Sequence, residues 1–284
     1  MAKVKFTKMH GLGNDYVYFD CISNSDLIEN IPEAAIKISD RHFGVGGDGI
    51  VLILDHNEAD FQMRMFNADG SEAEMCGNAI RCVAKYLCDN DYVKDDSVKI
   101  ATGAGILSIA IHRDSANNFV SATVDMGEPI LNGLQIPTTV DKEQVVGEEI
   151  SLKDGRSYSM TCVSMGNPHA VIFTDEITDQ QVLIDGKELE ISEVFPNRIN
   201  VEFVKVINKQ EVQMRVWERG SGETMACGTG ACAVCVASCL NDLVDSKVTV
   251  HLNGGDLEIE WNRENNHVYM TGTATTAFTG EVEV

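Results

Sequence analysis

Alternating hydrophobic and polar positions mark the same short segment twice in this chain. Residues 61–67 alternate with the period of two that is typical of a half-buried strand, and residues 212–217 repeat the pattern. Both segments contain the triplet Gln-Met-Arg, which begins at Gln62 and at Gln213, so the offset is 213 − 62 = 151 residues. A shared pattern at one offset indicates that a structural unit occurs twice.

The segment that follows each of these strands is also repeated, and it contains a cysteine. Residues 70–79 recur as residues 220–230, and each copy places a Cys-Gly pair before an apolar, helix-forming run. The two cysteines, Cys76 and Cys227, are again 227 − 76 = 151 residues apart. Further along, residues 98–107 match residues 248–257 at an offset of 150. We interpret these matches as two copies of one supersecondary unit, each with a cysteine at the start of a helix.

The helix predicted after Cys227 is apolar on all sides. Residues 231–239 are small and mostly hydrophobic, and a helix of that kind is buried all round. The sequence therefore predicts an α+β fold with two pseudo-symmetric domains, each a curved, mostly antiparallel sheet wrapped around a central helix; an ordinary α+β layer is the alternative. We expect domains at residues 1–127 and 128–272, with residues 273–284, which contain the last predicted strand at 277–284, returning to the first. Other predicted elements are strands at 3–9, 16–21, 50–54, 98–101, 105–111, 119–126 and 201–206 and a helix at 32–41.

Charge and hydropathy narrow the range of partners. The 284 residues have a formal net charge of −22, which argues against nucleic acid or an anionic membrane as a partner, because both require a basic surface. The first residues have a basic flank but no apolar core or cleavage site, and no apolar run approaches the length of a membrane span. We therefore expect a cytoplasmic protein.

Nine cysteines without an export signal suggest free thiols in a reducing compartment. Cys232, Cys235 and Cys239 lie on one stripe of the second helix, where buried cysteine acts as a small hydrophobe. The C-x-x-C at 232–235 has no matching second pair, so no metal is expected there. A redox or metal-binding module remains an alternative, which elemental analysis of the reduced protein would test.

A cysteine at the start of a helix has a specific chemistry. The unpaired N–H groups there lower the pKa of a thiol and bind a carboxylate, and Gly77 and Gly228 allow a ligand to approach closely. Two such sites facing one carbon would let one thiolate remove a proton and the opposite thiol return one, as in a racemase or epimerase. No cofactor motif is visible. The alternatives are a disulfide between the two cysteines in an oxidised form, a cysteine hydrolase that uses His169, and a ligand-binding protein without turnover.

Several motifs together resemble those of the diaminopimelate epimerase family, over essentially the whole chain. They are HGLGND at 10–15, NADGS at 67–71, MCGNAIR at 75–81, MGNPH at 165–169, RINVE at 198–202, WERGSGET at 217–224 and ACGTG at 226–230. The resemblance implies interconversion of LL- and meso-diaminopimelate without a cofactor, in a homodimer. A related interpretation is that the protein is a proline or hydroxyproline racemase, but that activity requires a smaller, more apolar pocket.

The resemblance also implies roles for individual residues. Cys76 and Cys227 would be the acid–base pair, and His169 and Glu218 would tune the two thiols. The residues implied to bind substrate are Asn14, Asn67, Gly77, Asn78, Asn167, Asn200, Glu218, Arg219, Gly228 and Thr229. A set of uncharged asparagines suits a zwitterionic distal group, since each side chain supplies a donor and an acceptor. Many family members have glutamine where this chain has Gly49, so that position is left out of the predicted site.

Overall fold

A computed structural model describes residues 3–284, and the chain divides into two compact units. The first unit runs to Val124 and includes the C-terminal segment Thr271–Val284, and the second unit is Asp125–Met270.

The first unit begins with strands that alternate between antiparallel and parallel pairing. Its strands are β1 (Lys3–Gly11), β2 (Asn14–Asp20), β3 (Gly49–Leu54), β4 (Phe61–Asn67), β5 (Glu72–Ala73), β6 (Ser97–Thr102), β7 (Gly105–Arg113) and β8 (Phe119–Asp125), and its helices are α1 (Ile31–Ser39) and α2 (Gly77–Asp89). Along the sheet, β1–β2, β3–β4, β6–β7 and β7–β8 are antiparallel, whereas β2–β3 and β4–β6 are parallel. Each parallel pair is joined by a segment that contains a helix, α1 or α2, as a parallel connection requires.

The second unit has the same order of pairings. Its strands are β9 (Val145–Ser151), β10 (Ser157–Ser164), β11 (Pro168–Phe173), β12 (Asn200–Asn208), β13 (Glu211–Glu218), β14 (Gly222–Glu223), β15 (Lys247–Leu252), β16 (Gly255–Trp261) and β17 (Val268–Gly272). Its helices are a π-helical turn (Gln180–Asp185), α3 (Gly186–Glu190) and α4 (Gly228–Leu240). Here β10–β11, β12–β13 and β15–β16 are antiparallel, and β11–β12 and β13–β15 are parallel. The sequence repeat is thus a repeat of sheet topology.

An extra strand adds to the edge of each sheet. The last strand of the chain, β18 (Thr275–Glu283), pairs antiparallel with β1, and β9 pairs antiparallel with β10. The first unit therefore contains both ends of the described chain.

One helix lies at the centre of each unit. Helix α2 contacts β1, β2, β7 and β18, and helix α4 contacts β10, β11, β12, β15 and β16. Every residue of α4 from Gly230 to Cys239 is buried, which confirms the prediction made from its uniformly small, apolar side chains. The predicted fold class, a mostly antiparallel sheet around a central helix in each half, is confirmed. No helix among residues 3–284 is long and apolar enough to cross a membrane.

Candidate active site

Cys76 occupies the N-cap position of α2. Its backbone is extended (φ −141°, ψ 120°), and the first helical residue after it is Gly77. The side chain is half-buried, and the thiol donates a hydrogen bond to Oδ1 of Asn14 at 3.3 Å. The same oxygen accepts from Nδ2 of Asn78 at 3.4 Å. The structure thus brings four residues of the predicted site together around the start of α2.

Asp48 fixes the orientation of the Asn14 amide. Nδ2 of Asn14 donates to Oδ2 of Asp48 at 2.8 Å, so its Oδ1 is left to face the thiol of Cys76. Asp48 is in turn bound by Arg41 at 2.9 Å, which also binds Asp15 at 2.7 Å. Sequence reasoning missed Asp48, although its place in the glycine-rich run before β3 was a signal that this loop has a special conformation.

A buried cation lies at the start of the second turn of α2. Arg81 has no exposed surface, and its guanidinium donates to the carbonyl of Gly77 at 2.9 Å, to Oδ1 of Asn78 at 2.8 Å and to the carbonyl of Thr273 at 3.3 Å. These bonds hold the residues next to Cys76 in place, and they attach the C-terminal return segment to the helix.

Asn67 and Gly49, also in the first unit, are each constrained by the contacts around them. Nδ2 of Asn67 donates to the hydroxyl of Ser71 at 3.0 Å, so this amide stabilises the turn after β4. A Cβ atom added at Gly49 would lie 2.0 Å from the carbonyl oxygen of Phe66. The backbone of this chain therefore leaves no room for the glutamine that many family members carry there.

Cys227 occupies the same position at the start of α4, but its sulfur is more buried, with 6% of the residue exposed. Its sulfur accepts a hydrogen bond from the backbone N–H of Gly230 at 3.3 Å and lies 3.5 Å from the hydroxyl of Thr229. Burial raises the pKa of this thiol well above its usual value, and the charges of Glu218 and Glu202 raise it further. This environment favours the neutral thiol of Cys227 over its thiolate.

Glu218 lies at the end of β13 beside this thiol. It accepts a hydrogen bond from the hydroxyl of Thr224. Burial raises the pKa of Glu218, and hydrogen bonds from Thr224 and Cys227 partly oppose that shift, together with the charge of His169. Glu218 is therefore a close acceptor for the proton of Cys227.

His169 and Glu202 form a buried pair next to Cys227. Nδ1 of His169 lies 2.6 Å from Oε1 of Glu202, and both side chains are fully buried. The other ring nitrogen, Nε2, lies 3.1 Å from Oδ1 of Asn167. Sequence reasoning predicted His169 and Asn167 but missed Glu202, for which an acidic residue inside the buried strand 201–206 was the available signal.

Among the described residues, His169, Glu202 and Cys227 also form a group whose donor atoms all lie within 4.8 Å of one another, as in a metal site. The imidazole and the carboxylate are already bonded to each other, however, and the sulfur is bonded to the N–H of Gly230. Because these atoms satisfy one another, the group is an acid–base cluster, and we do not assign it as a metal site.

The remaining predicted residues border this cluster. Asn200 is buried, its Nδ2 donates to the carbonyl of Pro168 at 2.8 Å, and its Oδ1 accepts from the backbone N–H of Arg219 at 2.9 Å. Its amide thus joins the strand of His169 to the loop after Glu218. At Gly228, an added Cβ would lie 3.0 Å from the sulfur of Met270, so the start of α4 is closely packed.

Known proteins are similar to this chain over its whole length. The family model of diaminopimelate epimerase matches residues 6–132 and 161–277. The chain is 55% identical over 283 residues to the diaminopimelate epimerase of Methanococcus maripaludis strain C6, covering 99% of this chain and 100% of the relative. It is 53% identical over 282 residues to that of Acetivibrio thermocellus, covering 99% of each. The chain belongs to the diaminopimelate epimerase family.

Solved structures at low sequence identity have the same fold as this diaminopimelate epimerase family member. A phenazine biosynthesis protein of the PhzF family from Bacillus anthracis matches with a TM-score of 0.71 at 16% identity, covering 100% of both chains. A hydroxyproline epimerase from Agrobacterium vitis matches with a TM-score of 0.68 at 13% identity, covering 99% of this chain and 91% of that chain. These neighbours support the fold class, and the family assignment depends on the closer relatives.

Proposed function

We propose that this protein is a PLP-independent epimerase that interconverts LL-2,6-diaminopimelate and meso-2,6-diaminopimelate. One cysteine removes the proton from the carbon next to a carboxylate, and the other returns a proton to the opposite face. The observation that carries the proposal is that Cys76 and Cys227 occupy the same N-cap position, each followed by a glycine that begins a long helix. The full-length identity to diaminopimelate epimerases supports the choice of substrate.

The start of each helix suits the charge that develops in this reaction. Removing a proton next to a carboxylate places negative charge on that group, and the N–H groups of a helix N-terminus stabilise an anion. We propose that Gly77 and Asn78 in the first half and Gly228 and Thr229 in the second hold this carboxylate. No metal or prosthetic group is needed for such a proton transfer.

The distal end of the substrate carries both an ammonium and a carboxylate group. We propose that four asparagines bind this distal end of the substrate or position the residues that bind it: Asn14, Asn67, Asn167 and Asn200. Glu218 and Arg219 are further proposed contacts with the substrate. In this proposal residues 1–127 with 273–284 supply one thiol, and residues 128–272 supply the other. His169 and Glu218 would then tune the thiols, as the buried cluster around Cys227 suggests.

The test is a chiral assay of purified protein with LL-diaminopimelate in deuterated water. We expect meso product that carries deuterium from solvent at the inverted carbon, with no cofactor added. Cys76→Ala and Cys227→Ala should each lower the rate by at least about 100-fold, because a positioned acid or base typically contributes that much. Cys21→Ala, which removes a buried thiol from the core of the first unit, is the matched control.

A rate close to wild type in either cysteine variant would contradict the two-base mechanism. Proline and hydroxyproline belong in the same assay, since their turnover in place of diaminopimelate would indicate a racemase instead. We also propose a cytoplasmic homodimer, on the basis of the family resemblance. Light scattering of the purified protein tests the dimer, and cell fractionation tests the location.

A further inference from the structure

Glu202 is a carboxylate in the middle of the second unit, and the predicted site gave it no role. It lies on the buried strand β12 and has no exposed surface. Oε1 is 2.6 Å from Nδ1 of His169, but Oε2 has no hydrogen-bond partner within residues 3–284. Burying a carboxylate is unfavourable unless a cation compensates it. The only candidate cation in direct contact with it is therefore the His169 ring.

The surroundings of His169 point to the same conclusion. Nδ1 faces the carboxylate of Glu202, and Nε2 faces Oδ1 of Asn167 at 3.1 Å. If Glu202 is ionised, Nδ1 and Nε2 each meet an oxygen acceptor, and an imidazole that donates from both nitrogens is an imidazolium. The Nε2–H bond then also fixes the amide of Asn167, whose Nδ2 is turned away from the ring.

Glu202 also packs directly against the start of α4. A Cβ atom added at Gly230 would lie 2.8 Å from Oε1 of Glu202 and 3.2 Å from the sulfur of Cys227. Other titratable groups near this point are Glu218, on the end of β13, and Cys162, on β10. Burial raises the pKa of Cys162 to about 12, and the charges of Glu202 and Glu148 contribute. The negative charge of Glu202 thus acts on neighbours from several strands.

The first half of the molecule has nothing equivalent. The position that corresponds to Glu202 is Val51, since 202 − 51 = 151, the offset of the repeat. Strand register supports this match: Ile50 pairs with Phe66 in the first unit, and Val201 pairs with Trp217 in the second. The carboxylate is thus specific to the half that contains Cys227.

We propose that Glu202 is a positioning residue of the epimerase, which holds His169 as an imidazolium so that its Nε2–H fixes the Asn167 amide with Nδ2 available to a substrate carboxylate. This inference rests on the proposed function for the identity of the ligand. The contacts that carry it, Glu202 to His169 to Asn167, lie within the second unit.

The first test is Glu202→Gln, which keeps the shape of the side chain and removes its charge. Glutamine can accept a proton from Nδ1, so the ring becomes neutral and Nε2 becomes an acceptor. The Asn167 amide then turns round and presents Oδ1, not Nδ2, to the substrate. We expect KM for LL-diaminopimelate to rise at least about tenfold, because a hydrogen bond to a charged group is lost, while kcat falls less.

Asp185→Asn is the matched control. Asp185 is an equally buried carboxylate of the second unit, but it binds Arg156 and Tyr158 and does not touch His169. The Asp185→Asn substitution should lower the melting temperature of the protein without changing KM for LL-diaminopimelate. Equal KM values for Glu202→Gln and wild type would overturn the proposal, and so would a rise of the same size in Asp185→Asn.

The second test needs no activity. Nitrogen-15 NMR of histidine-labelled protein reports the protons on each ring, and the spectrum of His169→Gln assigns the signal. We expect both nitrogens of His169 to be protonated at neutral pH, with the proton of the 2.6 Å bond far downfield, and this pattern to be lost in Glu202→Gln. A neutral ring in the wild type would overturn the proposal even if the protein is an active epimerase. Conversely, an imidazolium in a protein that does not turn over diaminopimelate would refute only the proposed function.

Discussion

Cys76 in the first half and Cys227 in the second occupy the same backbone position, yet their thiols face different partners. The thiol of Cys76 donates to the neutral amide of Asn14 at 3.3 Å. The thiol of Cys227 lies beside Glu218 and Glu202, whose charges add to burial in raising its pKa. One sulfur is half-buried and bonded to a neutral amide, and the other is buried beside two carboxylates.

The difference can be followed position by position along the repeat. Four equivalent positions differ between the halves: Tyr16 corresponds to His169, Val51 to Glu202, Asn67 to Glu218 and Arg81 to Cys232. The second half thus has histidine or glutamate at three positions where the first has uncharged residues, and a thiol where the first has a buried cation. The strand order and the cysteine are the same in both halves. The duplicated backbone thus fixes where each sulfur lies, and the side chains around it make the two halves chemically different.

The largest effect on the free energy of unfolding is expected when residues are exchanged between one charged and one apolar equivalent position of the two central helices. Lys85 in α2 corresponds to Val236 in α4, since 236 − 85 = 151. Val236 is fully buried, so Val236→Lys forces an ammonium into the core and should lower the free energy of unfolding by several kcal/mol. Lys85→Val removes an ion pair with Asp89 and the contact of the ammonium with the Phe119 ring, and it should change the free energy of unfolding by about 1 kcal/mol. Urea denaturation measures both.

Equal losses in the two variants would mean that α4 is no more enclosed than α2. The distinction was visible in the sequence, because an unbroken run of small apolar residues has no face suited to water. The repeat itself and most strands were equally accessible, since alternation and a constant offset are properties of local sequence.

What the sequence did not predict depends on contacts between distant segments. The bond between His169 and Glu202 exists because β11 and β12 are parallel and side by side, and that pairing brings together residues from two separated motifs. Asp48 was missed because its contact with Asn14 joins the start of β2 to a loop 34 residues further along the chain. The π-helical turn and α3 were also missed, although they connect β11 to β12 as α1 connects β2 to β3, because the sequences of the two connecting segments do not match.

An intermediate effect on stability is expected from a substitution at Gly230, where α4 packs against Glu202. Gly230 corresponds to Ala79 in α2, since 230 − 79 = 151, and only the glycine faces a carboxylate at close range. Gly230→Ala should destabilise the protein by about 2 kcal/mol through overpacking, although alanine is normally the better helix former. The reciprocal Ala79→Gly should cost about 1 kcal/mol through helix propensity. Thermal unfolding of both variants gives the comparison, and a stabilised Gly230→Ala protein would contradict the close packing.

The smallest effect is expected from removing one negative charge beside Cys227, which tests how far charge, and not burial, distinguishes the two thiols. Glu218 corresponds to the neutral Asn67, since 218 − 67 = 151, and its negative charge raises the pKa of Cys227. A negative charge favours the neutral thiol over the thiolate, so its removal in Glu218→Gln should lower that pKa. The measurement is the pH dependence of alkylation by iodoacetamide in a Cys76→Ala background, where the rate should begin to rise at lower pH.

Glu223→Gln is the control for this shift. Glu223 lies on the adjacent strand β14 and is bound by Arg215 at 2.7 Å, and it is not among the groups that shift Cys227. The alkylation profile of this control should coincide with that of the Cys76→Ala parent. A profile of Glu218→Gln that moves to higher pH, or does not move, would mean that the carboxylate does not hold Cys227 in its protonated form. The contrast between the two thiols would then come from burial and the charge of Glu202, because both act on Cys227 whatever residue lies at position 218.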